Sequence, residues 1–117
     1  MTIERLHSNK RLSNIVIHNG IVHLAGQLAN NHDGDIRTQT RETLANIDAL
    51  LAQAGSDKSQ ILSVTIYLKD IQNDFAAMNE IWESWVAEGH SPARACVEAA
   101  MFKPSLLVEM ALVAVQD

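Results

Sequence analysis

Two charged residues interrupt apolar, β-rich stretches near the C-terminus. Arg94 lies in Ser91-Pro-Ala-Arg-Ala-Cys-Val-Glu98, and Glu109 lies in the run Leu106 to Val115. A charge buried without a partner is costly, so each must be paired, exposed or used. Two readings are open. In one, Arg94 and Glu109 form a strand-face ion pair, or Glu109 points to solvent. In the other they are chemistry: a guanidinium fork that matches a carboxylate, and a carboxyl group that partial desolvation lifts toward neutrality, where it both takes and gives a proton. Cys96 lies two residues from Arg94, so both share a strand face. With no histidine close in sequence, it reads first as a small core residue.

Other chemistries find less support. His7, His18, His23, His32 and His90 show no i, i+4 pair and no zinc-like spacing with Cys96. His18 and His23 fall on neighbouring strands, but zinc takes three or four protein ligands. No metal site is expected. Nine basic and 14 acidic residues leave a net charge of −5. With no Lys/Arg run, that disfavours a general binder of nucleic acid. A single cysteine excludes an intramolecular disulfide and fits a reducing compartment. The N-terminus lacks the basic-then-apolar pattern of a signal peptide, and no apolar run approaches the roughly 18 residues of a membrane helix. These features predict a cytoplasmic protein without membrane contact. At 117 residues and 47% hydrophobic, residues 1–117 are read as one domain with a substantial core.

The elements that must position these side chains follow from periodicity. Ile15–His18 and Ile21–Ala25 are short β-rich runs joined by Asn19-Gly20, a strong hairpin signal. A further strand is expected at Ile3–Leu6. Asp35 is placed to cap a helix that runs to about Ala54, and Gly55 to stop it. Ile61–Leu68 reads as a central strand, with Leu62, Val64, Ile66 and Leu68 on one face and Ile61, Ser63, Thr65 and Tyr67 on the other. Asp74 is expected to cap a second helix over Phe75–Glu88, closed by Gly89, with a core stripe of Phe75, Met78, Trp82, Trp85 and Val86. Strands over 91–100 and 107–115 complete the order ββαβαββ. That order predicts an α+β fold, a mixed sheet with both helices on one face. The opposite face is too apolar for open water and predicts a homo-oligomer.

These residues also resemble a known family. Ser91–Glu98 followed by Val108-Glu-Met-Ala-Leu-Val-Ala114 is similar to the C-terminal signature of the RidA (YjgF/YER/endoribonuclease L-PSP) family. Ala25-Gly26-Gln27 is similar to its Ser-Gly-Gln. Asn73-Asp74-Phe75 and Met78-Asn79 match its second helix. The resemblance spans essentially the whole chain and lies nearest a divergent bacterial, YoaB-like subgroup. It implies a chorismate-mutase-like fold assembled as a barrel-like homotrimer with clefts between subunits. It also implies hydrolysis of 2-imino or enamine acids, such as 2-aminoacrylate, to 2-keto acids and ammonia. By the same resemblance Arg94 clamps the carboxylate of a small substrate and Glu109 positions or activates water. The Cys96 backbone meets the imine nitrogen, Gly26 allows close backbone approach, and Asn79 lines the cleft. No cofactor is implied. The sequence departs from the family pattern at Leu12, where a tyrosine closes the pocket in many members. It departs again at Met101-Phe102-Lys103-Pro104 before the last strand, and at Ala111, which replaces a second glutamate. The rim, and with it the substrate, differs more than the reaction class. The same cleft in a protein without turnover would make a small-carboxylate binding or regulatory module, while a nuclease is disfavoured by charge.

Overall fold

The computed structural model describes residues 2–117. Its strands are β1 (Glu4–Ser8), β2 (Ser13–His18), β3 (Ile21–Gln27), β4 (Ile61–Leu68), β5 (Ala93–Glu98) and β6 (Val108–Val115). The helices are α1 (Ile36–Gln53) and α2 (Ile71–Trp85). One sheet runs in the order β1-β2-β3-β6-β4-β5. β4 and β5 are parallel because α2 carries the chain back between them; every other neighbour is antiparallel. This is the expected mixed α+β sheet.

The hairpin turn is as expected: Asn19 and Gly20 both take positive φ, 54° and 74°, as a type I′ turn requires. Asp35 caps α1, its carboxylate accepting from the Thr38 N–H at 2.8 Å. That bond, given first by the backbone amide, holds the Asp35 carboxyl below its ordinary 3.8. A lowered folded-state value contributes stability above the unfolded pKa, and that stability is lost as pH falls through the folded one. Asp35→Ala is therefore expected to lower the melting temperature at pH 7. The difference from wild type should close as the pH is taken well below 3.8, which thermal melts across an acid series would reveal.

Two elements differ from expectation. The second helix begins four residues early. Asp70, not Asp74, is its cap, accepting from the Asn73 N–H at 3.3 Å, while Glu98 of β5 accepts from Ile71 N–H at 3.1 Å. Starting there adds Ile71 to the apolar stripe ahead of Met78 and Trp82. Asp74 lies in the first turn, where burial and then the neighbouring Asp70 push its carboxyl up. The helix stops at Trp85, whose carbonyl accepts from Lys58 Nζ at 2.6 Å, so Gly89 (φ 76°) falls in the following link. The second difference is in β4. Ile61 pairs with Ala114 but Ser63 with Val113, so Leu62 is the extra residue of a bulge. The bulge turns Ile61 into the core with Val64, Ile66 and Leu68 and leaves Leu62 51% exposed.

Both helices cover the same sheet face. Leu44, Ile47 and Leu51 of α1 and Met78 and Trp82 of α2 pack on Ile15, Val22, Leu24, Ile66, Met110 and Leu112. Buried Gln39 of α1 ties the segment before β6 to this core. It donates to the carbonyls of Gly34 at 2.8 Å and Ser105 at 2.9 Å, and accepts from Leu107 N–H at 2.9 Å. The start of β6, and so Glu109, is held from behind by a satisfied buried amide. Among the described residues, no helix covers the other sheet face.

Candidate functional site

Glu109 points to that uncovered face. It lies beside Tyr67 in the β4–β6 ladder, and the flanking Ile66, Leu68, Val108 and Met110 all point the other way into the core. The β3–β6 register breaks between Leu24 and Gln27, bringing Gly26 under the Glu109 side chain. A Cβ built at Gly26 would fall on Glu109 Oε2 and lie 2.9 Å from its Cδ. Only glycine leaves room for the carboxylate in this position. Around it Gly26, Tyr67, Ala99, Met101 and Ala111 line a concavity of about 290 Å³ in which Glu109 is the only carboxylate.

Arg94 points to the opposite face. In the parallel ladder it pairs with Val64, and Cys96 pairs with Ile66, both buried beneath the helices. β5 is an edge strand, so the guanidinium emerges beside α2. Its Nη1 donates to Asn79 Oδ1 at 2.7 Å, and it sits 5.5 Å from the Trp82 ring centroid and 6.0 Å from that of Phe75. Cys96 is half-buried against the core. Burial pushes its thiol up, with the Arg94 charge acting in the other direction. A thiol raised from 9.0 is protonated at neutral pH and is a poor nucleophile.

The ion pair left open by the sequence is therefore not formed within a chain, because the sheet stands between Arg94 and Glu109. Among the described residues the ion pair is Arg37–Glu80, between the two helices. Five of the six singled-out residues fall into two groups. Asn79, Arg94 and Cys96 gather at the β5–α2 edge. Gly26 and Glu109 gather on the open face. Leu12 lies in the β1–β2 turn, 47% exposed, and does not line the Glu109 concavity.

Sequence reasoning missed Phe75 and Trp82 as neighbours of Arg94, and Tyr67 and Met101 as walls around Glu109. Phe75 read as core, yet it is 40% exposed. The available signal was the spacing 75, 79, 82, which puts Phe75, Asn79 and Trp82 on one helical stripe. No group of three His, Cys, Asp or Glu side chains able to hold a metal occurs among the described residues, and no helix of the structure is long and apolar enough to cross a membrane.

Known proteins match this chain along its length. The "RutC family protein YoaB" of Escherichia coli (strain K12) is 47% identical over 114 residues, 97% of this chain and 98% of that protein. A crystal structure of an uncharacterized Pseudomonas aeruginosa protein superposes with a TM-score of 0.96 at 42% identity, covering 99% of this chain and 100% of that one. A YjgF family member from Neisseria meningitidis does so with the same score and identity, covering 100% and 97%. The family model described as Endoribonuclease L-PSP matches residues 2–116. With its mixed sheet and paired helices reproduced in those structures, the chain belongs to the endoribonuclease L-PSP family, whose members also carry the names RutC, YjgF and Rid.

Proposed function

We propose that the protein hydrolyses reactive 2-imino acids, and their enamine tautomers, to 2-keto acids and ammonia. The observation that carries this reading is the pair of uncommitted charges. Arg94 is held by a neutral amide, Glu109 is the one carboxylate lining its concavity, and among the described residues neither is in an ion pair. Arg94 binds the substrate carboxylate through the free part of its fork. An iminium carbon is already electrophilic, so orientation and one acid/base group suffice. Glu109 takes a proton as water adds to C2 of the iminium and gives it to the nitrogen of the carbinolamine; the C–N bond then breaks as the C2 hydroxyl becomes the keto oxygen, and its proton leaves with ammonia as ammonium. The backbone of Cys96 faces the imine nitrogen, and Gly26 allows close approach beside Glu109. Asn79 contributes to one wall of the cleft, and Leu12 to the rim that a larger aromatic residue would close. No metal or organic cofactor enters the reaction.

Because the sheet separates the two charges, the site is completed between copies, with Arg94, Cys96 and Asn79 from one and Gly26 and Glu109 from its neighbour. A closed homotrimer satisfies this with three equivalent clefts. It also covers the face that carries His23, Ser63, Thr65, Ala111 and Val113. Val113→Glu is expected to give smaller species by analytical ultracentrifugation and to lose activity with them. A monodisperse trimer from that variant would argue against this face as the interface.

The reaction is tested by forming 2-imino acids in situ with an amino acid oxidase and following 2-keto acid release against semicarbazide, which competes for the imine. The protein should accelerate release. A second reading has its own support: Arg94 and Asn79 make a carboxylate receptor that needs no group from Glu109's face. If no imino acid is turned over but 2-keto acids raise the melting temperature in an Arg94-dependent way, the protein is a small-carboxylate sensor.

A further inference from the structure

The surroundings of Arg94 contain something the proposed reaction does not by itself require. Phe75, Asn79 and Trp82 follow one another at i, i+4 and i+7 along α2, a single stripe that faces β5. The stripe meets the guanidinium with two ring faces and one amide oxygen. A helix that leaves Phe75 40% exposed gains little from burying it in the core. The ring instead flanks the cation, and Trp82, buried at 6% exposure, supplies the fixed wall on its other contact. Asn79 is the decisive residue type. Asparagine and aspartate have the same shape, and an aspartate would bond the guanidinium more strongly. It would also neutralise it. An amide oxygen accepts one N–H and leaves the net charge, and the rest of the five-donor fork, uncommitted.

We propose that Phe75, Asn79 and Trp82 are positioning residues for Arg94. In this arrangement the neutral acceptor at 79 keeps the guanidinium both oriented and electrostatically free for the carboxylate of the substrate. This deepens the function proposed above and rests on it. The rings constrain the plane of the guanidinium, the amide sets its rotation, and neither competes with an incoming anion.

The test is Asn79→Asp, alongside Phe75→Leu and Phe75→Tyr, in the intact assembled protein. Steady-state kinetics use 2-imino acids formed in situ. Calorimetry uses 2-oxobutanoate as the anionic probe and 2-oxobutanamide as its uncharged counterpart. Asn79→Asp should raise KM and weaken 2-oxobutanoate binding by about tenfold or more, since a charge-assisted intrachain bond is roughly twice as strong as the neutral one it replaces. The loss should fall on KM rather than kcat, and the uncharged probe should bind both proteins alike. Phe75→Leu should raise KM less, and Phe75→Tyr should restore it. A purely structural role would move both probes together and lower the melting temperature. The proposal is overturned if Asn79→Asp leaves KM and 2-oxobutanoate binding at wild-type values while Arg94→Ala destroys both. If Arg94→Ala itself changes nothing, the function proposed above is what fails.

Discussion

Arg94→Ala is expected to abolish 2-keto acid release from imino acids while leaving the protein folded and assembled. Truncating one partner of a desolvated, hydrogen-bonded charge pair costs about 2–5 kcal/mol, so kcat/KM should fall by at least roughly thirtyfold and toward several thousandfold. The effect on folding should be small. Arg94 is exposed in the single chain, and its bond is to a neutral side chain that water can satisfy. Surface changes of this kind usually stay within about 0.5 kcal/mol. Arg94→Lys separates charge from geometry. A lysine keeps the positive charge and loses the planar fork, so it should recover part of the binding and little of the rate. The measurement is the coupled oxidase assay with melting curves on the same preparations. Full activity in a folded Arg94→Ala protein would mean that Arg94 is not the anion clamp.

Gly26→Ala should produce a comparable loss by a different route. The added methyl carbon falls on Glu109 Oε2, so the carboxylate must leave its present position. The obstructing atoms are the far end of a flexible side chain, not backbone, so the glutamate can swing away at little cost to stability. Catalysis by a positioned acid/base group contributes about 10²–10⁴-fold, and a displaced carboxylate forfeits most of it. The expected result is a near-native melting temperature with a kcat down by about a hundredfold or more. Glu109→Gln should behave the same way, because it keeps the shape and removes the proton-transfer function. If Gly26→Ala were fully active while Glu109→Gln was inactive, the observed carboxylate position would not be the working one.

The contrast between these variants separates what residue types and spacing carry from what the fold adds. Arg94 and Glu109 were visible because charges in β-rich apolar runs require an explanation, and the hairpin at Asn19-Gly20 and the cap at Asp35 were visible because their chemistry is local. What stayed hidden was relational. Strand alternation assigns a side chain to one of two faces, but it does not say that the face of β5 carrying Arg94 is the reverse of the face of β6 carrying Glu109. That follows from the parallel pairing of β4 with β5 and the antiparallel pairing of β4 with β6, which are long-range facts. The bulge at Leu62 was unreadable for the same reason, since a bulge is defined by the partner strand. At α2, Asp70 and Asp74 are both plausible caps by residue type. The choice is made by Glu98 on β5, which binds the Ile71 amide across 27 residues of chain. Phe75 looked like core because it is apolar and in register, and its contact with Arg94 depends on that same crossover.

Two charges on opposite faces of one sheet make one site only between copies. The most direct test mixes two inactive proteins. Arg94→Ala and Glu109→Gln are each assembled and assayed alone, then unfolded, combined in equal amounts and reassembled. Random assortment places an intact Arg94 opposite an intact Glu109 in about a quarter of the clefts of a closed ring. Imino acid hydrolysis should return to about that fraction of a wild-type sample carried through the same cycle. A mixture that reassembles as fully as wild type yet stays as inactive as its parents would contradict it, because the two residues would then have to act within one chain.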